Sequence, residues 1–298
     1  MNKVAFLVVG LKGYEVLRHA IKKYSPLIDF VVLGRDSGVD NDYSHEINNL
    51  CLENELPCYD RENSDQIISN FHDYILAVGW RWILPVRNNI VIFHDSLLPK
   101  YRGFAPLVSC LINGETEIGA TALIAAEKYD RGEVISQASE KISYPIKILD
   151  AIKLMSKIYI QLVDDFLRKL QIEEKISTMP QNEALATYSL WRDAEDYWID
   201  WYQSAEAIVR FIDAVGVPYA GARCLVNSEE VILNSAVAMQ EQNIIDRQSS
   251  IGKVISIDDA CPIVVCGKGL LKIKEISSLS GEPILPLSKF RTRFTRKK

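Results

Sequence analysis

Two side chains, a histidine and an aspartate, carry the chemistry that this sequence offers. His94 ends the stretch IVIFH, where the apolar run Ile90, Val91, Ile92 and Phe93 stops at a titratable ring and continues as DSLLPKYRG. An imidazole titrates near neutrality, and it takes a proton from an amine nucleophile when a carboxylate orients it and stabilises its cation. The candidate carboxylate is Asp130, in GATALIAAEKYDRGEVISQ, where residues 119–125 read as a strand and Asp130-Arg131-Gly132 as a tight turn. Residue types alone leave two ordinary explanations open. A lone histidine is more often a satisfied structural group than a base, and an aspartate before glycine is common for local hydrogen-bonding reasons.

Such a pair needs a scaffold, and the first half of the chain describes one. Short apolar runs at 4–9, 30–33, 74–78 and 90–93 alternate with helix-patterned stretches at 14–24 and 43–53, the signature of an open parallel sheet with helices on its faces. Ligands of such sheets bind beyond the carboxyl ends of the strands, and His94 stands at one of those ends. A long helix is expected over 148–170, with apolar residues mostly three or four apart. An irregular, aromatic and charged segment from Pro180 and Gln181 to Trp198 reads as a connection, which sets the expected domains at 1–198 and 199–298. Beyond it, a helix over 204–214 precedes short strands bounded by Gly216, Pro218, Gly221, Gly252, Gly267 and Gly269, the texture of a small barrel.

Composition narrows the class. With 298 residues, 48% of them hydrophobic and 24% charged, the chain has the profile of a soluble globular protein, and no apolar run has the length of a membrane span. Gly10, Lys12 and Gly13 follow the first apolar run where a signal peptide would continue, so MNKVAFLVVG reads as a first strand and the expected location is the cytoplasm. The 6 cysteines form no CxxC pair, which suggests free thiols with neither zinc nor a disulfide framework. A net charge of −5 argues against a protein that grips nucleic acid; the local exception is the tail KFRTRFTRKK, read as a solvated, frayed terminus.

The run HDSLLPKYRGFAP, followed by GETEIGAT and then DRG, resembles the 10-formyltetrahydrofolate-dependent formyltransferase family, whose signature is Asn-x-His-x-Ser-Leu-Leu-Pro, then Arg-Gly and later Asp-x-Gly. Downstream, PQ, AT, IDW, VPYAGA, IGKVI and VVCGKGLLKI resemble the barrel-like carboxyl-terminal domain of methionyl-tRNA formyltransferases and related sugar-modifying enzymes. The resemblance implies a Rossmann-like α/β formyltransferase fold with a smaller, OB-like β domain. It makes His94 the general base, Asp130 its electrostatic partner and 10-formyltetrahydrofolate the cosubstrate, with no metal. The folate would lie along the loop AVGWRWILP, against Val78, Gly79, Trp80, Ile83 and Leu84, and beside the turn at Tyr129 and Asp130. Ser96, Pro99, Arg102 and Gly103 would shape the mouth for substrate, with Arg102 either an anchor for a phosphate or carboxylate or a solvated surface charge.

One position departs from the pattern. The family's asparagine falls at 92, where this chain has Ile92. That asparagine is understood to hydrogen-bond the formyl oxygen as charge develops, and losing one such donor costs about two to three orders of magnitude in rate. Among acceptors, HDSLLPKYRGFAP is most similar to enzymes that formylate nucleotide-linked amino sugars for surface polysaccharides, including nonulosonic acid derivatives such as those of pseudaminic acid. Methionyl-tRNA is the alternative, and an inactive folate- or sugar-binding relative is the third reading. VVGLKGYE offers little phosphate cradle, which sets glycinamide ribonucleotide aside. The carboxyl-terminal domain would serve as a homodimer contact or a substrate platform.

Overall fold

Apolar runs without polar interruption become strands buried on both faces, and β1 (Val4–Val8) shows the extreme, with each residue 0% exposed. In the computed structural model, which describes residues 3–297, it is followed by α1 (Gly10–Tyr24), β2 (Ile28–Leu33), α2 (Ser44–Glu53), β3 (Cys58–Asp60), α3 (Asp65–Asn70), β4 (Tyr74–Val78) and β5 (Ile90–His94). Then come β6 (Arg102–Gly103), α4 (Pro106–Asn113), β7 (Glu117–Ile124), β8 (Val134–Lys141), α5 (Ile148–Gln171) and β9 (Tyr188–Ser189). α1 starts at Gly10, earlier than the expected residue 14, because two glycines in its first turn mask the helical pattern. It buries Gly13, Val16, Leu17, Ala20, Ile21 and Tyr24, a stripe three and four apart.

By contact density the chain divides into two compact units. One holds the residues up to Leu107, Thr116–Ile142 and Asp150–Trp191; the other holds Val108–Glu115, Ser143–Leu149 and the residues from Arg192 on. The seven-stranded sheet of the first unit has the order β3-β2-β1-β4-β5-β7-β8. The parallel expectation holds from β3 to β5 and fails beyond it, where β7 runs antiparallel to β5 and β8 antiparallel to β7. The short link between β7 and β8 contains no crossover helix, without which two neighbouring strands cannot run parallel.

The second unit carries α6 (Ala205–Val215), β10 (Ala222–Val226), β11 (Glu229–Met239), α7 (Arg247–Ser250), β12 (Val254–Asp258), β13 (Cys261–Val265), β14 (Leu270–Ser278) and β15 (Phe294–Thr295). Ser204 caps α6 by accepting from the Ala207 amide at 3.2 Å. Asn227 and Ser228, at φ +50° and +72°, make the tight turn between β10 and β11. The antiparallel order is β12-β13-β14-β11-β10-β15, and a Lys253–Arg293 bridge joins the two edges, as barrel texture requires. The basic tail departs from the expected solvated, frayed terminus at Phe294, which is 1% exposed because it is strand and core at once, while its described Lys and Arg residues are exposed. Lys298 of that tail and Met1 and Asn2 of the first run lie outside the described residues. No helix among the described residues is long and apolar enough to cross a membrane.

Candidate active site

The strand order of the first sheet reverses between β1 and β4, because the chain builds β2 and β3 on one side and returns to add β4 and β5 on the other. The crevice beyond the carboxyl ends at such a reversal is where ligands bind. Here the two ends are drawn together: the Val9 amide donates to the Val78 carbonyl at 3.3 Å. Gly79, at φ +66°, turns the chain where a Cβ would come within 2.7 Å of the Val9 carbonyl oxygen. Val78 is fully buried in β4. Trp80, Leu84 and Ile92 are partly buried against one apolar cluster that includes Ala5, Leu7, Ile75, Ala77 and Ile90, while Ile83 is 78% exposed. The Trp80 Nε1–H is buried and has no acceptor among the described residues. This flat apolar wall with one donor to spare suits a fused-ring ligand.

β5 aims the histidine. Side chains alternate along a strand, so Ile90, Ile92 and His94 share the face of that cluster, and Val91 and Phe93 face the other way. The Ala125 amide donates to the Ile90 carbonyl at 2.9 Å, at the foot of β5. The loop that follows runs back along the strand, and Asp130 Oδ1 comes to 3.4 Å from His94 Nδ1 at its head. Gln181 holds this loop, its Nε2 donating at 2.8 Å to the carbonyls of both Asp130 and Gly132. The second Asp130 oxygen accepts from the Gly103 amide at 2.7 Å.

His94 is 8% exposed, and its Nε2 lies 2.9 Å from the carbonyl oxygen of Tyr101. A carboxylate and a carbonyl both accept, and a neutral imidazole has one N–H to give. Only the imidazolium, the form His94 takes after receiving a proton, satisfies both partners at once. With its proton on Nδ1 the neutral ring leaves Nε2 and the Tyr101 carbonyl as two acceptors side by side, which a substrate N–H in front of them satisfies.

The structure brings Gly103 and Tyr129 to this pair: Gly103 through its bond to Asp130, and Tyr129, 65% exposed, as its chain neighbour. Gly103 sits at φ +102°, and a Cβ there would meet the Ser189 carbonyl oxygen at 2.4 Å, so the β6–β9 pairing demands glycine. Ser96 is buried, and its hydroxyl donates to the Lys100 carbonyl at 2.6 Å. Thr121 Oγ1 donates to the Ser96 carbonyl at 2.7 Å and accepts from the Leu98 amide at 3.0 Å, while Gln137 Nε2 donates to the Leu98 carbonyl at 2.8 Å. These bonds hold the SLLP loop from within.

Arg102 differs from both expectations held for it. It is 1% exposed and beyond the reach of a substrate. Its Nη1 and Nη2 donate to the two Glu183 oxygens at 2.8 and 2.7 Å, and Nη2 and Nε donate to Gln181 Oε1 at 2.7 and 3.2 Å. The hydrogen bonds with Glu183 raise the guanidinium pKa and lower that of the carboxylate. Pairing of β6 with β9 is what folds the 181–189 segment over this side chain.

Three residues with no role in the sequence reading stand beside His94: Asp95, Tyr159 and Lys12. Asp95 lies inside the motif itself, but Tyr159 reads as one more member of the apolar stripe of α5, and nothing in the chain marks Lys12 as its neighbour. Only the packing of α1 and α5 on the sheet assembles them.

Comparison with known proteins agrees with this geometry. Residues 41–150 match the family described as formyl transferase, and residues 192–293 match the formyl transferase C-terminal domain. The methionyl-tRNA formyltransferase of Syntrophomonas wolfei is 28% identical over 229 residues, covering 75% of this chain and 71% of that protein. Among solved structures, WlaRD, a sugar 3N-formyl transferase crystallised in the presence of dTDP and 5-N-formyl-THF, superposes with a TM-score of 0.65 at 17% identity over 92% of this chain and 98% of that one. The N-formyltransferase from Helicobacter canadensis, in complex with folinic acid and dTDP-3-aminofucose, gives 0.64 at 16% identity over 92% and 100%. At those identities the likeness speaks for the fold, and the two matched domain families, in order along one chain, speak for the chemistry. The chain belongs to the formyl transferase family.

Proposed function

We propose that this protein transfers a formyl group from 10-formyltetrahydrofolate to the amino group of a nucleotide-linked amino sugar. The observation that carries the reading is the His94–Asp130 pair at the mouth of the sheet, beside the apolar wall of Trp80, Leu84 and Ile92. The folate supplies the formyl group and a tetrahydrofolate leaving group. His94 Nε2 takes the proton of the attacking amine, the Tyr101 carbonyl orients that amine, and Asp130 stabilises the imidazolium until the proton passes to the departing nitrogen. Val78, Gly79, Trp80, Ile83, Leu84 and Tyr129 form the folate side, and Gly103 and Ser96 shape the mouth. The six cysteines form no disulfide, which fits the reducing cytoplasm.

Two things support a sugar acceptor: solved relatives that cover 92% of this chain were crystallised with dTDP or dTDP-3-aminofucose, and a net charge of −5 leaves little attraction for tRNA. The 28% identity with a methionyl-tRNA formyltransferase favours tRNA as the second reading. The test is mass spectrometry after incubation with 10-formyltetrahydrofolate and a panel of nucleotide-linked amino sugars, CMP-linked nonulosonic acids among them, beside methionyl-tRNA. A formyl gain on one sugar that is absent with His94→Asn is the expected result. A gain on the tRNA alone replaces the sugar reading, and folate binding with no transfer replaces both with a binding protein.

A further inference from the structure

The phenol of Tyr159, on α5, touches both chain neighbours of His94. Its oxygen lies 2.8 Å from the Phe93 carbonyl oxygen and 2.5 Å from Asp95 Oδ1, so one proton is shared between the residue before the histidine and the residue after it. The other Asp95 oxygen pairs with Lys12, from the first turn of α1. The same ammonium stands 5.3 Å from the centre of the Tyr159 ring. Tyr159 is 1% exposed, and Lys12 and Asp95 are each 17% exposed.

The charges of this cluster are settled. Burial and the Asp95 charge push the Tyr159 phenol well above its usual range, which leaves it a neutral donor. Burial alone would raise the Asp95 carboxyl, but the Lys12 ammonium and the hydrogen bonds from Lys12 and Tyr159 outweigh it and hold the group below its usual value. Strand alternation gives the cluster its geometry. Phe93 points away from the face that His94 occupies, and Asp95, just past the end of β5, meets the same Tyr159 phenol, so the strand end is gripped from the α5 side.

We infer that Tyr159, Asp95 and Lys12 form a clamp that positions His94, fixing the strand end on both sides of the ring so that Nδ1 meets Asp130 and Nε2 meets the Tyr101 carbonyl before substrate arrives. The inference rests on His94 being the proton acceptor proposed above. A base misplaced by about 1 Å loses on the order of a hundredfold in rate, so the clamp acts through His94 without touching substrate.

The test reads the ring itself. The chain has 4 histidines, so the His94 imidazole signals in an ¹H–¹⁵N spectrum of the full protein are assigned by their loss in His94→Asn. In the native protein the Nδ1–H facing Asp130 gives a sharp, slowly exchanging cross-peak. In Tyr159→Phe, and in Asp95→Asn, that peak moves and exchanges at least about tenfold faster, while the affinity for tetrahydrofolate stays within about threefold. Lys12→Met, which keeps an apolar stem, shows the same change and is the measurement to rely on where the two buried variants do not fold. An unmoved, equally protected peak in any folded variant of the three overturns the clamp. Since no acceptor is needed, the two readings fail separately: a protein that formylates nothing yet shows the clamp-dependent signal refutes the functional reading and keeps only the fixing of the ring.

Discussion

Asp130 joins two strands with one carboxylate: Oδ1 stands 3.4 Å from His94 Nδ1 at the end of β5, and Oδ2 accepts from the Gly103 amide of β6 at 2.7 Å. Asn in its place keeps an oxygen for Gly103 but turns an NH₂ toward the imidazole, which then presents its lone pair at Nδ1 and carries its proton on Nε2, the wrong tautomer for a base. Asp130→Asn and His94→Asn are therefore expected to lower turnover by about 10²- to 10⁴-fold with folate affinity within a few-fold. Formylation assays and tetrahydrofolate titrations check both, and near-native turnover in either variant removes that residue from the mechanism.

Ile92 precedes His94 on the same face of β5 and packs on the apolar cluster below the site. Ile92→Asn places an amide donor where charge develops on the formyl oxygen. The expected outcome is a rise in kcat of at least about tenfold, at a stability cost of about 1–2 kcal/mol for a polar group on an apolar wall. A fall in kcat would show that another group already fills that position.

Arg102 is buried and bound to Gln181 and Glu183. Arg102→Lys cannot reproduce the forked geometry and is expected to destabilise the protein by about 1–3 kcal/mol, read by urea denaturation, because Gln181 and the backbone it holds lose their anchor. KM for the acceptor should stay within about threefold in the folded fraction. A large KM increase with unchanged stability would return Arg102 to the substrate.

In the second unit, burial pushes the Asp213 carboxyl up to about 6, with the Lys147 charge opposing weakly, and the residue is 8% exposed. A carboxyl with its folded pKa above its unfolded value binds its proton more tightly in the native state, so it costs stability as pH rises from about 4 through 6 and the penalty is complete above that. Asp213→Asn is expected to be more stable than the parent by on the order of 1–3 kcal/mol at pH 7.5 and equal to it near pH 4. Equal difference curves at the two pH values would place the carboxylate in a better-solvated site.

Much of the first unit was legible in the chain. The run at 74–78 is β4, the run at 90–93 is β5 extended by His94, and the helix read over 148–170 is α5 with one more residue, because apolar periodicity reports burial whatever the partners are. Strand direction was not legible: GATALI has the same pattern whether β7 runs parallel or antiparallel. The second unit's texture was clear in its glycines, yet the strand at Phe294 hid among basic residues that suggested a loose end.

The sequence by itself determined the apolar runs that must be buried, the histidine at the end of one of them and the aspartate in its turn, since side-chain chemistry and local spacing are properties of the chain. Tertiary structure alone decided that the 125–130 loop doubles back to bring Asp130 to His94, that Arg102 is sealed beneath the 181–189 segment, and that Tyr159 and Lys12 meet at Asp95. Each of these depends on segments far apart in sequence being packed together by burial of the sheet, and no local pattern records which distant partner a buried polar group will find.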